Sequence, residues 1–144
     1  MKTAIDTNVI SALWSETPLE AAAWRALRVA RGEGALAISA LVYAELMAYP
    51  KGAPDVFIEE FAAEAGIEID FTFGEEVWRE AGRRFARYAE RRRASRGGMP
   101  KHFLADFLIG AHALIEADRL LTFDTQRYRK DFPELELVVP RASE

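Results

Sequence analysis

The chain has no cysteine. Disulfides, thiolate metal centres and cysteine nucleophiles are thereby excluded, and the composition suits a reducing compartment. Histidine is nearly absent as well, with only His102 and His112; two such residues make no zinc-binding cluster, and both read as structural. No run of about 18 apolar residues occurs, so no membrane-spanning helix is expected. The opening Met1-Lys2-Thr3-Ala4-Ile5-Asp6 meets an acid before an apolar signal core could form. That argues against a signal peptide and for a cytoplasmic protein. Internal repeats and domain linkers are lacking too.

What is present is one domain's worth of chain, residues 1–144, half of it apolar and 29% charged, as a soluble globular protein requires. The net charge of −4 conceals an asymmetry. Nine of the 19 basic residues lie between Arg79 and Lys101, opposed there only by Glu80 and Glu90, which leaves 10 basic against 21 acidic residues elsewhere. A basic segment on an acidic body makes a candidate phosphate-binding face with an electronegative pocket elsewhere.

Short strand-like runs alternate with longer helical ones. Lys2–Ile5 reads as a strand, closed by Asp6-Thr7-Asn8, which can cap a helix over Val9–Leu13. Thr17-Pro18 opens a second helix that Gly32 and Gly34 stop. Ala35–Ile38 is a strand, and Ser39 caps a helix expected to run to about Tyr49. Pro54–Ala65 is helical, ended by Gly66, and Ile67–Phe71 alternates with period two. A long arginine-rich helix spans about Gly74 to Ala94, and Ser95–Pro100 reads as a mobile break. His102–Ala117 is a nearly all-apolar helix, and Arg119–Phe123 and Leu135–Val139 are strands. This alternation predicts an α/β fold of three layers, α/β/α, with a short central parallel sheet flanked by helices.

Four carboxylates stand alone among apolar residues: Asp6, Glu45, Asp106 and Asp124. Asp6 and Asp124 directly follow strand-like runs, and ligands of parallel sheets bind outside the carboxyl ends of strands. Glu45 shares a helical stripe with Leu41, Val42, Ala48 and Tyr49, so it is expected to point into the body of the protein. Asp106 is the only acid between His102 and Ile115, on a helix that reads as buried, out of easy reach of water. Each placement has a bland explanation: a helix cap for Asp6, a turn for Asp124, an arginine partner for Glu45, a salt bridge or a His102 contact for Asp106. The joint pattern fits these poorly. Two unit charges ~4 Å apart repel by about 4 kcal/mol at an effective dielectric near 20, so converging carboxylates call for a cation. Hard oxygen donors favour Mg²⁺ or Mn²⁺ over zinc. Such ions serve phosphodiester hydrolysis.

These residues resemble the PIN-domain ribonucleases, and among them the VapC-type toxins of toxin–antitoxin pairs. The likeness lies in Ile5-Asp6-Thr7-Asn8-Val9-Ile10, in Ala44-Glu45-Leu46, in Asp106-Phe107-Leu108-Ile109-Gly110-Ala111-His112-Ala113, and in Leu121-Thr122-Phe123-Asp124. It extends from the first strand to Pro140. The resemblance implies a Mg²⁺- or Mn²⁺-dependent endoribonuclease with Asp6, Glu45, Asp106 and Asp124 as its acidic metal ligands and catalytic set. Thr122 and Asn8 match the family's supporting polar positions, which orient those acids. An RNA substrate, an antitoxin protein and a homodimer are the partners it implies.

Arg79, Arg83, Arg84, Arg87 and Arg91 recur at three- and four-residue spacing. With Arg96 and Lys101 on the adjoining loop they form a candidate RNA-backbone track, or else a solvated face balanced by acids. Trp14, Trp24 and Trp78 read as core or interface residues; the family likeness places the first two near an antitoxin groove and a dimer surface. Three rivals stand beside this reading. A haloacid-dehalogenase-like phosphatase expects a second acid where Asn8 stands. A structure-specific DNA nuclease usually needs more chain. A non-catalytic RNA- or antitoxin-binding module has no need of four intact acids.

Overall fold

A computed structural model of the chain describes residues 1–49, 52–95 and 102–141. Its elements are β1 (Thr3–Ile5), α1 (Thr7–Leu13), α2 (Leu19–Glu33), β2 (Leu36–Ser39), α3 (Ala40–Leu46), α4 (Pro54–Ala65), β3 (Ile67–Asp70), α5 (Glu75–Ala94), α6 (Leu104–Glu116), β4 (Arg119–Leu121), α7 (Thr125–Arg129) and β5 (Glu136–Val138). The five strands form one parallel sheet in the order β3-β2-β1-β4-β5.

That order follows from the sequence pattern. Every residue of β1 and β2 is buried, as inner strands covered on both faces must be. On β3 the buried Ile67 is followed by the exposed Glu68, and β3 is an edge strand. With this strand order, the right-handed crossover rule puts α1 to α4 on one face and α5 to α7 on the other. On the first face Trp24 of α2 meets Phe61 of α4; on the second, α5 packs along α6. The strand order reverses at β1, which has β2 on one side and β4 on the other. Asp6 therefore leaves the sheet at its topological switch point, where open α/β sheets bind ligands.

Local signals set most boundaries. Asp6 caps α1 by accepting from the Thr7 N–H, and Ser39 caps α3 by accepting from the Val42 N–H. Gly66 closes α4 with φ 72°, in the left-handed region that glycine enters without strain. Two expectations need correction. Helix α3 ends at Leu46 instead of near Tyr49, because Val42 and Leu46 fill its buried stripe while Met47, Ala48 and Tyr49 are exposed. The strand read as Arg119–Phe123 stops at Leu121, and an unforeseen helix, α7, follows Asp124. The break expected at 95–100 lies, beyond Ser95, outside the described residues.

The core runs from Ile5 and Ile38 through Leu120 and Leu121 to Phe107, Tyr128 and Phe132, all buried. Gly110 brings α6 onto the Phe132 ring so closely that a Cβ there would stand 2.6 Å from it. None of the three tryptophans is fully buried. Trp14 meets Phe57 and Phe61 edge-on at 5.1 and 5.3 Å, and its indole Nε1–H finds no acceptor among the described residues. Trp78 is 52% exposed. Among the described residues no helix is long and apolar enough to cross a membrane.

Candidate active site

Asp6 is the centre of the site. It is 1% exposed, and two hydroxyls converge on its Oδ2: Thr122 Oγ1 donates at 2.8 Å and the Tyr128 phenol at 2.9 Å. The Thr7 N–H donates to Oδ1 at 2.8 Å. Burial pushes the Asp6 carboxyl above its ordinary value, against the opposing effect of the Thr122 and Tyr128 hydrogen bonds and the Arg127 charge. Burial, and then the neighbouring Asp6 charge, raises the Tyr128 phenol far enough to keep it a donor.

Asn8 and Thr122 brace this centre. Asn8 Nδ2 lies 3.5 Å from Asp6 Oδ2 and 3.4 Å from Thr122 Oγ1, while its Oδ1 accepts from the Phe123 N–H at 3.2 Å. Thr122 Oγ1 also accepts from the Asp124 N–H at 3.0 Å. One threonine hydroxyl thus ties the acid after β1 to the acid after β4.

The other acids approach from helix ends. Asp106 sits in the first turn of α6, where its Oδ2 accepts from the Phe103 N–H at 3.1 Å. Its side chain is 13% exposed, and it faces Arg127, not His102. Asp124 caps α7 through the Arg127 N–H at 3.1 Å. Glu45 departs from expectation: it is exposed instead of turned into the protein, because the inward stripe of the shortened α3 is Val42 and Leu46. Thr7 Oγ1 nevertheless donates to Glu45 Oε1 at 2.6 Å, which links it to the residue beside Asp6.

Between Asp106 and Asp124 stands Arg127, with Nη1 3.3 Å from Asp106 Oδ1 and Nη2 3.2 Å from Asp124 Oδ2. Burial works against its charge, but Asp106, Asp124 and Asp6 hold the guanidinium above its ordinary value. As the side chains lie, no three acids or histidines among the described residues close on one point as a ligand set. The donor chemistry still fits a hard divalent ion: the groups are carboxylate oxygens, and the innermost is a desolvated carboxylate that lacks full compensation.

The basic face is smaller than its sequence spacing implied. Arg84 is a correction: it is buried, hydrogen-bonded to Glu80, Glu134 and the Asp131 carbonyl, and stacked over Phe132 at 4.8 Å. Arg83 and Arg87 are exposed, Arg83 pairing with Glu80 at 3.1 Å. Arg91 pairs with Asp131. Arg96 and Lys101 lie outside the described residues. The sequence reading also passed over Thr7, Arg127 and Tyr128. Asp124-Thr-Gln-Arg127 carries the three-residue spacing of an ion pair on a helix, but that signal has meaning only once α7 is known to exist.

The sequence matches the family model of the PIN domain over residues 3–133. No curated protein sequence matches the chain. Among solved structures, the fold resembles VapBC2 from Rickettsia felis bound to a DNA fragment of its promoter, at 22% identity and a TM-score of 0.68, over 96% of this chain and 98% of that one. It also resembles a toxin–antitoxin complex from Klebsiella pneumoniae, at 20% identity and a TM-score of 0.67, over 98% and 99% of the two chains. VapBC-1 from nontypeable Haemophilus influenzae matches at 20% identity and 0.68, over 96% and 98%.

Proposed function

The chain belongs to the PIN domain family, and from that premise we propose that it is a Mg²⁺- or Mn²⁺-dependent endoribonuclease, the cytoplasmic toxin of a toxin–antitoxin pair. The observation that carries the reading is Asp6: a carboxylate 1% exposed, at the sheet's switch point, its orientation fixed by hydroxyls, with Asp124 tied to it through Thr122 and Glu45 through Thr7.

In this reading Asp6, Asp106 and Asp124, with Glu45 at the rim, would hold the ion, and a bound ion would supply Lewis-acid polarisation of the phosphodiester and activation of water. The chain's own residues do the rest. Thr122 and Tyr128 fix Asp6, and Asn8 fixes the loop that carries Asp124. Glu45, held through one oxygen by Thr7, keeps its other oxygen to orient the attacking water and take its proton. Arg83 and Arg87 supply positive charge for the RNA backbone.

A groove of about 710 Å³ adjoins the acids, lined by Ser11, Trp14, Leu19, Tyr49, Phe57 and Phe123 among others. It is apolar, and it fits the apolar face of an antitoxin helix. The resembling structures include toxin–antitoxin complexes, which supports an antitoxin partner here, as the family likeness supports a homodimer.

The test is cleavage of labelled RNA and single-stranded DNA with Mg²⁺, Mn²⁺ or EDTA, beside Asp6→Asn. RNA cut only with metal, and only by the unsubstituted chain, is the expected result. Cleavage of DNA alone overturns the ribonuclease assignment, and full activity in Asp6→Asn overturns the site.

A further inference from the structure

The acid site contains a cation of its own. Arg127 reaches two carboxylates with two different nitrogens of one planar group, so its guanidinium bridges α6 to the start of α7. Its backbone N–H is already bound to Asp124 Oδ1. The backbone at Arg127 is therefore held, and the side chain beyond it can swing.

The contacts at 3.2 and 3.3 Å are longer than the ~2.7–2.9 Å of a tight charge-assisted hydrogen bond. Attraction between charges holds them more than a locked geometry does. The side chain is also 36% exposed, so it has an open route away from the acids. By contrast, Arg84 is 10% exposed in its side chain and grips Glu134 with two hydrogen bonds. The molecule thus has one arginine built to stay and one built to leave.

Asp106 and Asp124, with Asp6 near them, repel one another unless positive charge lies between them. A divalent ion and the guanidinium would both supply that charge, and both would do so at the same oxygens. We propose that Arg127 is the resident counter-ion of the acid site, competing with a divalent cation for Asp106 and Asp124 and withdrawing from them when the cation binds. The inference rests on the metal-site reading above. It makes the site's apparent metal affinity the difference between two bound states, not the affinity of bare carboxylates.

A clamp that merely holds the two acids in ligand positions predicts the opposite sign. Removing a clamp weakens metal binding; removing a competitor tightens it. Mn²⁺ binding by the full chain, followed through the electron paramagnetic resonance of free Mn²⁺, decides between them. Arg127→Gln keeps most of the bulk and drops the charge, and it should bind Mn²⁺ on the order of tenfold tighter, about 1.4 kcal/mol. Arg127→Lys, which keeps a charge but not the two-pronged reach, should fall between. In EDTA the glutamine variant should melt below the unsubstituted chain, and saturating Mn²⁺ should close that gap.

Equal or weaker Mn²⁺ binding by Arg127→Gln, with binding by the unsubstituted chain intact, overturns the competitor role and leaves the metal site standing. Absence of Mn²⁺ binding by the unsubstituted chain overturns both. The lysine variant keeps the test open should the glutamine variant fail to fold.

Discussion

Asp6 and Glu134 are carboxylates shifted in opposite directions, and their pH dependences differ in sign. Burial raises the Asp6 carboxyl above its ordinary 3.8, so at neutral pH the metal-free fold is less stable than it would be with an unburied carboxyl there, through the desolvated charge or the proton taken up to avoid it. That cost fades as the pH falls through the raised folded value towards 3.8. Asp6→Asn should therefore melt higher than the unsubstituted chain in EDTA at neutral pH, with the advantage shrinking on acidification, while RNA cleavage is lost. Glu134 is the reverse case: the Arg84 guanidinium holds it down, to about 2 from 4.5. Its contribution is complete above pH 4.5 and is lost as the pH falls towards 2, and Glu134→Gln should flatten the acid limb of a melting-temperature profile over that window. Thr122 touches two acids without reaching the substrate side. Thr122→Val should lower Mn²⁺ affinity and activity by roughly ten- to a hundredfold, and unchanged Mn²⁺ affinity would remove its bracing role.

Among the elements, α6 shows how a local rule yields to packing. Helix propensity favours Ala over Gly by about 1 kcal/mol, yet at Gly110 an added Cβ meets the buried Phe132 ring within 2.6–2.9 Å. Gly110→Ala should therefore destabilise the fold, by roughly 1–3 kcal/mol in chemical denaturation; a stabilised variant would mean that Phe132 yields freely. On α5, Arg83 and Arg87 are the exposed candidates for a backbone track. Replacing both by Ala should reduce the salt dependence of single-stranded RNA binding by about 1.4 in log–log slope, and an unaltered slope would take α5 off the path.

The same elements show where sequence reading succeeds. The strand before Asp6, the Ser39 cap, the Gly66 stop and the long α5 each carry a local signal of period or capping, and each stands where that signal puts it. Helix α7 has five residues, Thr-Gln-Arg-Tyr-Arg, too short and too polar to show a period. It exists because Asp124 caps it and Tyr128 is drawn into the core. Arg84 turns inward because Glu134, fifty residues on, meets it there, and spacing along α5 holds no record of that partner. Glu45 was misplaced for a related reason: the last apolar residues of its stripe, Ala48 and Tyr49, lie beyond the end of α3 and are exposed.

At the scale of the molecule, the proposed divalent ion would link its binding to folding. An ion at about a hundred times its dissociation constant stabilises by roughly 2.7 kcal/mol. Added Mn²⁺ should raise the melting temperature of the unsubstituted chain, EDTA should reverse the rise, and Asp6→Asn should show little of either. The acids stand at the ends of β1 and β4 and on α3 and α6, so an ion held by them would join elements from both halves of the strand order.

Trp14 adds an optical consequence. Its indole lines the groove beside the acids, is flanked by two rings, and keeps an N–H with no acceptor among the described residues. A peptide that filled the groove would cover the exposed edge of this ring and change the polarity around one fluorophore out of three. The emission colour and quenching of Trp14 would then report occupancy directly, with Trp24 and Trp78 as a steady background and Trp14→Phe as the dark control.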